Sequence, residues 1–348
     1  MSITSSRLES DHPGGKLQPP RAYELAIAIL TFQRNSELRE HLPHIVEHAR
    51  LLNAERHGQV VASVIVVDND PSGSAREVIE DLRLGVRYVC EPTPGIAAAR
   101  NRAVDEAAGM DLLVFIDDDE RPLPGWLPSL IDVWNTSRPA AVPGRVLPRY
   151  KATPNRWLLA GGFFDRPVRA TGTRMPAAAA GNLLLDLRQI RESGLRFEEP
   201  FGPTGGEDSL FGKRLVQRGY KIVWCHESAV EDVVPPSRLT REWVLRRMWS
   251  QGNLISLIDC YIAESRVQQA RVRAYRAAAG AALITLGVGR TVRGCLTGQI
   301  SDRARGLGTI YRGGGMLAGA CGYRYQQYSR TAPTQRPSIP PMKGAADA

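Results

Sequence analysis

The sequence predicts an α/β protein with a mostly parallel central sheet, flanking helices and a basic helical region toward the C-terminus. Short apolar runs alternate with stretches of helical periodicity as far as residue 120, which is typical of βαβ units. Polar residues follow three of these runs, at the sheet edge where such folds bind ligands. With 43% hydrophobic and 23% charged residues among 348, the composition is ordinary for a globular protein. A collagen-like, fully disordered or disulfide-scaffold protein is therefore excluded.

The elements of the sheet follow one another along the first part of the chain. The apolar run Leu25–Leu30 predicts the first buried strand, and Ser36 is the expected N-cap of the helix after it. The same alternation predicts strands at 60–67, 86–89 and 112–116 and helices at 74–84 and 96–108. Beyond residue 120 the pattern is irregular, with strand-like pieces at 140–147 and 221–224 and a helix at 209–218.

Charge is unevenly distributed along the chain. There are 45 Lys and Arg against 36 Asp and Glu, a formal net charge of +9. Residues 238–348 hold 17 basic and 5 acidic side chains, whereas residues 1–237 hold 28 and 31. The excess of basic charge favours an anionic partner: a membrane surface, a phosphorylated substrate or nucleic acid. Nucleic acid is disfavoured, because there is no helix-turn-helix pattern and no basic sheet with interleaved aromatic residues.

Cysteine usage and hydropathy indicate a cytoplasmic protein without an ordinary transmembrane helix. The five cysteines are widely spaced and include no CxxC pair, so neither a disulfide framework nor a zinc knuckle is expected. The longest uncharged run, residues 277–289, has 13 residues, against roughly 20 that span a bilayer. The first 20 residues lack the apolar core of a secretory signal and are predicted to form a disordered tail.

Four consecutive acidic residues, Asp117–Glu120, directly follow the apolar strand predicted at 112–116. Such a run repels itself unless it is solvated or binds a cation. In an extended segment Asp117 and Asp119 lie on one face, where they can hold Mn²⁺ or Mg²⁺ together with substrate phosphates. The alternative is a solvated acidic turn, which the preceding strand disfavours.

A second acidic segment, Gly205–Asp208, precedes the helix predicted at 209–218. A carboxylate there can cap the helix by accepting hydrogen bonds from its free amides, as Glu207 or the hydroxyl of Ser209 would. It can also act as a general base that takes the proton from an attacking hydroxyl, the role expected of Asp208. The two interpretations are compatible.

Three further side chains, Arg34, Arg100 and Asp68, each have two interpretations. Arg34 and Arg100, the latter inside a predicted helix, are surface residues, or they face the strand ends and hold a diphosphate or a base carbonyl with their guanidinium groups. Asp68 can bind a nucleobase N–H or a ribose hydroxyl, or it belongs to an Asx-type turn.

Five short motifs occur in the order found in a known enzyme family. They are Thr31–Arg34, Val66–Asn69, Pro94–Asn101, Phe115–Glu120 and Gly206–Asp208. Together they resemble the family 2 glycosyltransferases of the GT-A fold, and more narrowly the bacterial succinoglycan or exopolysaccharide type, over residues 23–255. The resemblance implies a nucleotide-diphosphate-sugar donor such as a UDP-sugar, a divalent metal at a DxD motif and transfer with inversion.

The resemblance also implies roles by position. Asp208 would be the catalytic base, Asp119 would bind the metal, and Asp117 would contact the metal or the donor ribose. Asp232 stands near the place where many relatives have a metal-binding His, and His226 is another candidate ligand close by. The remaining candidates would hold the nucleotide sugar or its leaving group: Thr31, Arg34, Asp68, Arg100, Asn182 beside Gly181, Glu207 and Arg247.

One departure from the family concerns processivity. Processive members carry a QxxRW motif after the base, whereas this chain has Arg246–Asn253 there. The departure predicts that one sugar is added per encounter.

The predicted organisation has four parts. A disordered tail at 1–20 precedes a catalytic domain at 21–237, in which residues 21–120 would bind the nucleotide sugar and 121–237 the acceptor. A helical basic region at 238–330 and a second disordered tail at 331–348 follow. The basic region either attaches peripherally to anionic lipids on the inner face of the cell membrane or forms a solvated helical subdomain.

The expected acceptor is a lipid-linked glycan or another precursor of a cell-surface polysaccharide. Three alternatives stay open: a soluble natural-product acceptor, a nucleotidyltransferase that releases pyrophosphate, and a non-enzymatic protein that binds an anionic surface. A dehydrogenase is disfavoured because no GxGxxG follows the first strand.

Overall fold

The structure is a computed structural model in which residues 22–326 are described. The tails predicted at 1–20 and 331–348 lie outside the described residues. The strands are β1 (Tyr23–Thr31), β2 (Val60–Asp68), β3 (Arg87–Cys90), β4 (Leu112–Asp117), β5 (Glu120–Pro122), β6 (Ala141–Pro143), β7 (Arg145–Tyr150), β8 (Leu183–Asp186) and β9 (Ala229–Val234). The α-helices are α1 (Asn35–Glu55), α2 (Arg76–Leu82), α3 (Ile96–Glu106), α4 (Trp126–Ser137), α5 (Arg156–Gly161), α6 (Leu187–Ser193), α7 (Glu207–Gln217), α8 (Arg241–Ile262), α9 (Arg266–Leu296) and α10 (Ile300–Ala320).

The central sheet has six strands in the order β3-β2-β1-β4-β8-β6. The first four are parallel, whereas β8 runs antiparallel to both of its neighbours. Strand β1 is apolar throughout because its side chains alternate between two cores. Ile27 and Ile29 pack with α1, α2 and α4 on one face, and Ala26 and Ala28 pack with α3, α6 and α7 on the other. The predicted α/β class, with a mostly parallel sheet and flanking helices, is confirmed.

The polar ends of the parallel strands meet at one edge of this sheet. In the strand registers Thr31 lies beside Asp68, and Leu30 lies beside Asp117. A smaller sheet in the order β5-β9-β7 adjoins this edge, where Glu120 of β5 pairs with Asp232 of β9. The acid run therefore leaves the large sheet and enters the small one, which fixes its backbone at both ends.

Two predicted helix starts are wrong by one or two residues. Helix α1 begins at Asn35 with Arg34 at the N-cap position, and the Ser36 hydroxyl bonds to Glu37 instead of capping. Helix α7 begins at Glu207 after Gly206, whose φ of +86° is in the left-handed region, and no side chain caps it. The capping expected of Glu207 or Ser209 is therefore not present, and Asp208 lies in the first turn of α7.

The predicted basic region is helical and packs against the rest of the molecule. Leu257 and Ile258 of α8 form a small core with Phe201 and Leu210. Among residues 22–326, no helix combines the length and the apolarity needed to cross a membrane.

Helix α10 lies against both α8 and α9 and touches them through glycines. A Cβ on Gly315 would lie 2.0 Å from the Trp249 carbonyl oxygen of α8, and one on Gly313 would lie 2.6 Å from the Gly280 carbonyl oxygen of α9. Backbones approach this closely only where side chains are absent. The segment that lacks the processive motif therefore serves here as a packing face for α10.

Candidate active site

Side chains from neighbouring strand ends hold the acid run that follows β4. The Thr31 hydroxyl donates a hydrogen bond to Asp118 Oδ2 at 2.9 Å. Arg34 Nη1 lies 2.7 Å from Asp118 Oδ1 and 3.0 Å from Asp119 Oδ2, so one guanidinium bridges two carboxylates. The structure thus brings Thr31 and Arg34 to the acid run, and their contact with a nucleotide stays a prediction.

Asp232 joins this run from the small sheet, and we call Asp117, Asp118, Asp119, Glu120 and Asp232 the acid cluster. Arg238 links two of its members, with Nη2 at 3.3 Å from Asp119 Oδ2 and Nη1 at 3.7 Å from Asp232 Oδ1. Arg166 Nη2 lies 4.0 Å from Asp232 Oδ2. The pKa of Asp232 is raised by burial and then by Asp119, and the positive charge of the predicted helper Arg247 is among those that oppose this rise.

Burial and the charges of neighbouring carboxylates raise the pKa values of four groups of the acid cluster: Asp117, Asp118, Glu120 and Asp232. Desolvation, opposed by Arg100 and reinforced by Asp119, raises the pKa of Asp117 to about 6. Desolvation, opposed by Arg34, likewise raises the pKa of Asp118 to about 6. Burial and then Asp117 raise the pKa of Glu120 well above its usual range, and burial and then Asp119 raise that of Asp232. Burial and repulsion therefore disfavour the ionised forms of these carboxyl groups more than the nearby arginines favour them.

The donor atoms of the acid cluster fit a hard divalent cation. Among the described residues there is no group of three or more His, Cys, Asp or Glu side chains arranged as a metal site. Mg²⁺, however, is usually held by only one or two carboxylates and the substrate phosphates. Asp232 Oδ1 is buried without a hydrogen-bond donor, and its nearest charged neighbours include Asp119. Asp117, Asp119 and Asp232 are thus chemically suited to Mn²⁺ or Mg²⁺.

His226 is not brought into this arrangement. Its backbone N–H donates to Thr171 Oγ1 at 2.8 Å, and Thr171 also donates to the side chain of the neighbouring Glu227, which lowers the pKa of Glu227. Of the two predicted replacements for the family's metal-binding His, only Asp232 lies in the acid cluster.

A short segment of small residues connects the predicted base to the acid cluster. The Ala180 backbone N–H donates to Asp208 Oδ2 at 3.2 Å. The next residue, Gly181, lies so close to the cluster that a Cβ on it would be 2.7 Å from Glu120 Oε1 and 3.3 Å from Asp117 Oδ2. Consecutive Cα atoms are about 3.8 Å apart, so Asp208 and Asp117 both lie next to the same two-residue segment.

Arg100 and Glu207, both predicted to bind the nucleotide sugar, form a buried ion pair with each other instead. Their side chains are 7% and 4% exposed, and Arg100 also lies over the Phe197 ring at 5.7 Å. Arg100 still acts on the site because its charge lowers the pKa of Asp117. The pair therefore joins α3 to the first turn of α7, which carries Asp208.

Two other residues predicted to contact the donor, Asp68 and Asn182, have fully buried side chains with internal hydrogen bonds, and their contact with a donor stays a prediction. Asp68 accepts hydrogen bonds from the Asp70 and Ala75 amides and from the Tyr88 hydroxyl, at 2.9–3.0 Å, which matches the Asx-turn alternative. Asn182 accepts from Trp126 Nε1 at 2.8 Å. These bonds use the side-chain oxygens that a nucleotide or sugar would need.

The remaining bonds of Asn182 close the same network. Its amide donates to the Arg145 carbonyl at 2.9 Å, and its oxygen also accepts from the Ser228 hydroxyl at 3.2 Å. The backbone of Asn182 is in the left-handed region at φ +53°, which Asn tolerates better than most residues. Asn182 therefore fixes the segment that carries Ala180 and Gly181.

Two residues of the site were missed by the sequence reasoning. Arg238 lies in a short 3-10 helix, Pro236–Arg238, at the boundary drawn between the catalytic domain and the basic region. Arg166 lies in the irregular segment before β8. No local pattern marks either residue, because Arg238 is 119 residues from Asp119 and Arg166 is far in sequence from Asp232.

Several solved structures resemble this chain weakly. The crystal structure of TarS from S. aureus matches with a TM-score of 0.47 and 14% identity, covering 72% of this chain and 42% of that one. The crystal structure of GalNAc-T7 with UDP, GalNAc and Mn²⁺ matches with a TM-score of 0.49 and 14% identity, covering 72% and 52%. This chain therefore spans about half of these two solved chains, or less.

Sequence comparisons give a stronger result. The model described as "Glycosyl transferase family 2" matches residues 26–190, and "Glycosyl transferase family group 2" matches residues 112–303. The succinoglycan biosynthesis protein ExoM of Rhizobium meliloti (strain 1021) is 33% identical over 244 residues, which cover 67% of this chain and 74% of that protein. The chain therefore belongs to glycosyltransferase family 2, as its motifs predicted, and it is a transferase enzyme.

Proposed function

We propose that this enzyme transfers one sugar from a UDP-sugar to a hydroxyl acceptor, with inversion at the sugar carbon and with Mn²⁺ or Mg²⁺ as cofactor. The observation that carries the proposal is the double contact of the Ala180–Gly181 segment. It touches Asp208 through a backbone hydrogen bond and touches Glu120 and Asp117 of the acid cluster. A base and a cation-binding cluster that both adjoin one segment of small residues would suit a sugar held between an attacking hydroxyl and a diphosphate.

Asp208 has the properties that the general base requires. Its side chain is half-buried in the first turn of α7. The bond from the Ala180 amide to one carboxylate oxygen fixes the orientation of the group. Asp208 would accept the proton of the acceptor hydroxyl as that oxygen bonds to the sugar and the diphosphate leaves from the opposite face. This single displacement inverts the sugar carbon, as in inverting hydrolases that place their groups on opposite faces.

The leaving nucleoside diphosphate gains negative charge as the bond to the sugar breaks. A bound divalent cation would supply electrostatic stabilisation of that charge. Asp117, Asp119 and Asp232 are the residues that would hold it. Arg34 and Arg238, which already bridge these carboxylates, would orient the same diphosphate with their remaining N–H groups.

The acceptor proposed here is a lipid-linked glycan or another precursor of a cell-surface polysaccharide, and the relative named for succinoglycan biosynthesis supports it. Such precursors lie at a membrane surface, so we place the enzyme in the cytoplasm, attached peripherally to the inner face of the membrane. The basic charge of residues 238–348 supports attachment to anionic lipid. A soluble natural-product acceptor is the alternative.

The replacement Asp208→Asn tests the proposed base. Asn keeps an oxygen that can accept the Ala180 hydrogen bond but cannot take a proton. We expect kcat to fall by roughly 10²- to 10⁴-fold, the usual contribution of a positioned base, with UDP affinity by calorimetry unchanged. The control is Asp81→Asn, an exposed carboxylate paired with Arg39 on the surface, which should leave kcat unchanged. Wild-type turnover by Asp208→Asn would reject the assignment.

The same assay tests the cofactor and the reaction class. We expect EDTA to abolish turnover and Mn²⁺ or Mg²⁺ to restore it, because the acid cluster lacks enough positive charge of its own. The released product should be a nucleoside diphosphate. Release of pyrophosphate would instead identify a nucleotidyltransferase, and full turnover in EDTA would exclude a metal role for the acid cluster.

A further inference from the structure

An open cavity of about 780 Å³ lies between α5, the start of α8 and the turn that joins α9 to α10. It is separate from the acid cluster, and none of its lining residues was assigned a role from the sequence. The lining residues are Asn155, Arg156, Trp157, Arg241, Thr291, Cys295, Ile300, Arg303 and Leu307.

The cavity combines positive charge with apolar walls. Arg156, Arg241 and Arg303 reach it from three different helices, and its nine lining residues include no Asp or Glu. Arg241 lies over the Trp157 ring at 4.9 Å, which holds its guanidinium at the wall. Ile300, Leu307 and the Trp157 ring supply apolar surface. The chemistry suits a phosphate group attached to an apolar chain, because guanidinium groups pair well with phosphate.

A face of α9 near this cavity carries apolar side chains that no other part of residues 22–326 covers. The buried residues of α9 are its glycines at 280, 287 and 294, which face α10. On the uncovered side, large apolar residues are strongly exposed, with Tyr275 at 65%, Leu286 at 67% and Leu296 at 83%. No charged residue occurs between Arg276 and Arg290. Cys295, which lines the cavity, and the exposed Leu296 are consecutive residues of α9, so the cavity lies near the C-terminal end of this helix.

We propose that this surface docks on an anionic lipid bilayer, with a lipid phosphate group in the cavity and the uncovered face of α9 among the headgroups and upper acyl chains. The proposal rests on the peripheral attachment proposed above and assigns it to named residues. The three cavity arginines would pair with anionic headgroups, and the apolar residues of α9 would contact the acyl chains beneath the headgroups. A second copy of the chain fits less well, because its own cavity arginines would face these.

This docking would place the transfer site beside the membrane. Arg238, which contacts Asp119 and Asp232, precedes Arg241 of the cavity by three residues. Three residues of chain span at most about 11 Å. An acceptor glycan anchored in the same bilayer would therefore be presented close to the acid cluster.

Vesicle co-sedimentation of the full chain tests the proposal. Vesicles of phosphatidylcholine are compared with vesicles that also contain phosphatidylglycerol, at low and high salt. We expect binding only to the anionic vesicles, weakened by salt. The double variant Arg241→Gln/Arg303→Gln should bind about tenfold or more weakly, since each basic residue near an anionic surface contributes measurably. Leu286→Glu on α9 should weaken binding by a similar factor.

Matched controls keep surface binding apart from folding and from catalysis. Arg50→Gln/Arg188→Gln removes two exposed arginines from α1 and α6, and Val61→Glu alters an exposed apolar residue of β2. Both controls should bind vesicles like the wild type. UDP-dependent thermal stabilisation should be the same in all variants, which shows that the donor site is intact even where vesicle binding is lost.

Three results would overturn the assignment. Wild-type protein that ignores anionic vesicles would reject the bilayer as partner. If the cavity and α9 variants bound vesicles as well as the wild type, another surface of the protein would be the attachment site. A wild-type dimer that Leu286→Glu converts to monomers would make the face an interface between two copies. Transfer to a soluble acceptor would persist in each case, so the proposed glycosyl transfer is tested separately.

Discussion

The sheet edge and the α9–α10 pair hold their charges in opposite ways. At the sheet edge five carboxylates are crowded together, and Arg34 and Arg238 bridge between them. On α9 and α10 the arginines are in excess, so that Arg290 and Arg293 share the single carboxylate of Asp302. The first region is organised by directional polar contacts and the second by close contact between glycine backbones. Substitutions that change charge should therefore have the larger effects at the sheet edge, and substitutions that change side-chain size should have the larger effects in α9 and α10.

The largest expected effect on stability comes from the buried pair beside the base. Glu207→Gln leaves Arg100 buried without its counter-charge. Breaking a buried ion pair by removing one partner typically costs about 3–5 kcal/mol. We expect a loss of that size in the free energy of unfolding in urea, because both side chains are at least nine-tenths buried.

A pair on the surface provides the control for Glu207→Gln. Glu242 and Arg246 form an ion pair on the exposed side of α8, with side chains 72% and 67% exposed. Glu242→Gln should cost less than about 1 kcal/mol, because exposed pairs are weak. Equal losses in the two variants would show that burial does not separate the two regions as described.

The sequence reasoning located the sheet and the acid run but not the internal bonds of the site. Parallel strands buried on both faces are apolar along their length, so β1, β2 and β4 were recognisable, and polar residues after them marked the functional edge. The sequence alone does not distinguish a polar side chain that forms hydrogen bonds within the fold from one that binds a ligand. Asp68 bonds to Tyr88 of another strand, and Asn182 bonds to Trp126 of a distant helix.

Charge pairs formed between distant segments escaped the sequence reasoning for the same reason. Arg100 and Glu207 are 107 residues apart, and Arg238 and Asp119 are 119 apart. Spacing rules describe neighbours on one helix or strand, so they carry no information on such pairs. Arg100 and Glu207, each predicted separately to contact the nucleotide sugar, form one internal ion pair that the sequence did not predict.

The next largest effect is expected from Gly181→Ala, which changes shape inside the charged region. The new methyl group would lie 2.7 Å from Glu120 Oε1, while Glu120 Oε2 accepts a hydrogen bond from the Asp117 amide at 3.1 Å. Glu120 must then shift and disturb the acid cluster. We expect kcat/KM to fall by about 10²-fold, the size of effect that a misplacement of about 1 Å can cause.

Gly109→Ala is the control for this substitution, because a Cβ there meets nothing within 4 Å. It should leave kcat/KM unchanged. If Gly181→Ala also retained wild-type kcat/KM, the segment at 180–181 would not be the link between base and acid cluster that the proposed function requires.

The smallest expected effect is on the free energy of unfolding, and it differs between two glycines of α9. The comparison tests how much close backbone packing contributes to the stability of the helical region. A Cβ on Gly287 would lie 2.7 Å from the Gly306 carbonyl oxygen and 2.9 Å from the Ile310 amide nitrogen of α10, whereas one on Gly289 meets nothing within 4 Å. Gly287→Ala must push the two helices apart and should lower the free energy of unfolding by about 1–3 kcal/mol, as overpacking usually does. Gly289→Ala removes only the flexibility of glycine and should raise it by up to about 1 kcal/mol. Urea unfolding of both variants tests whether their changes in the free energy of unfolding have opposite signs. Shifts in the same direction would mean that α9 is not held by backbone contact, and the contrast with the sheet edge would fail.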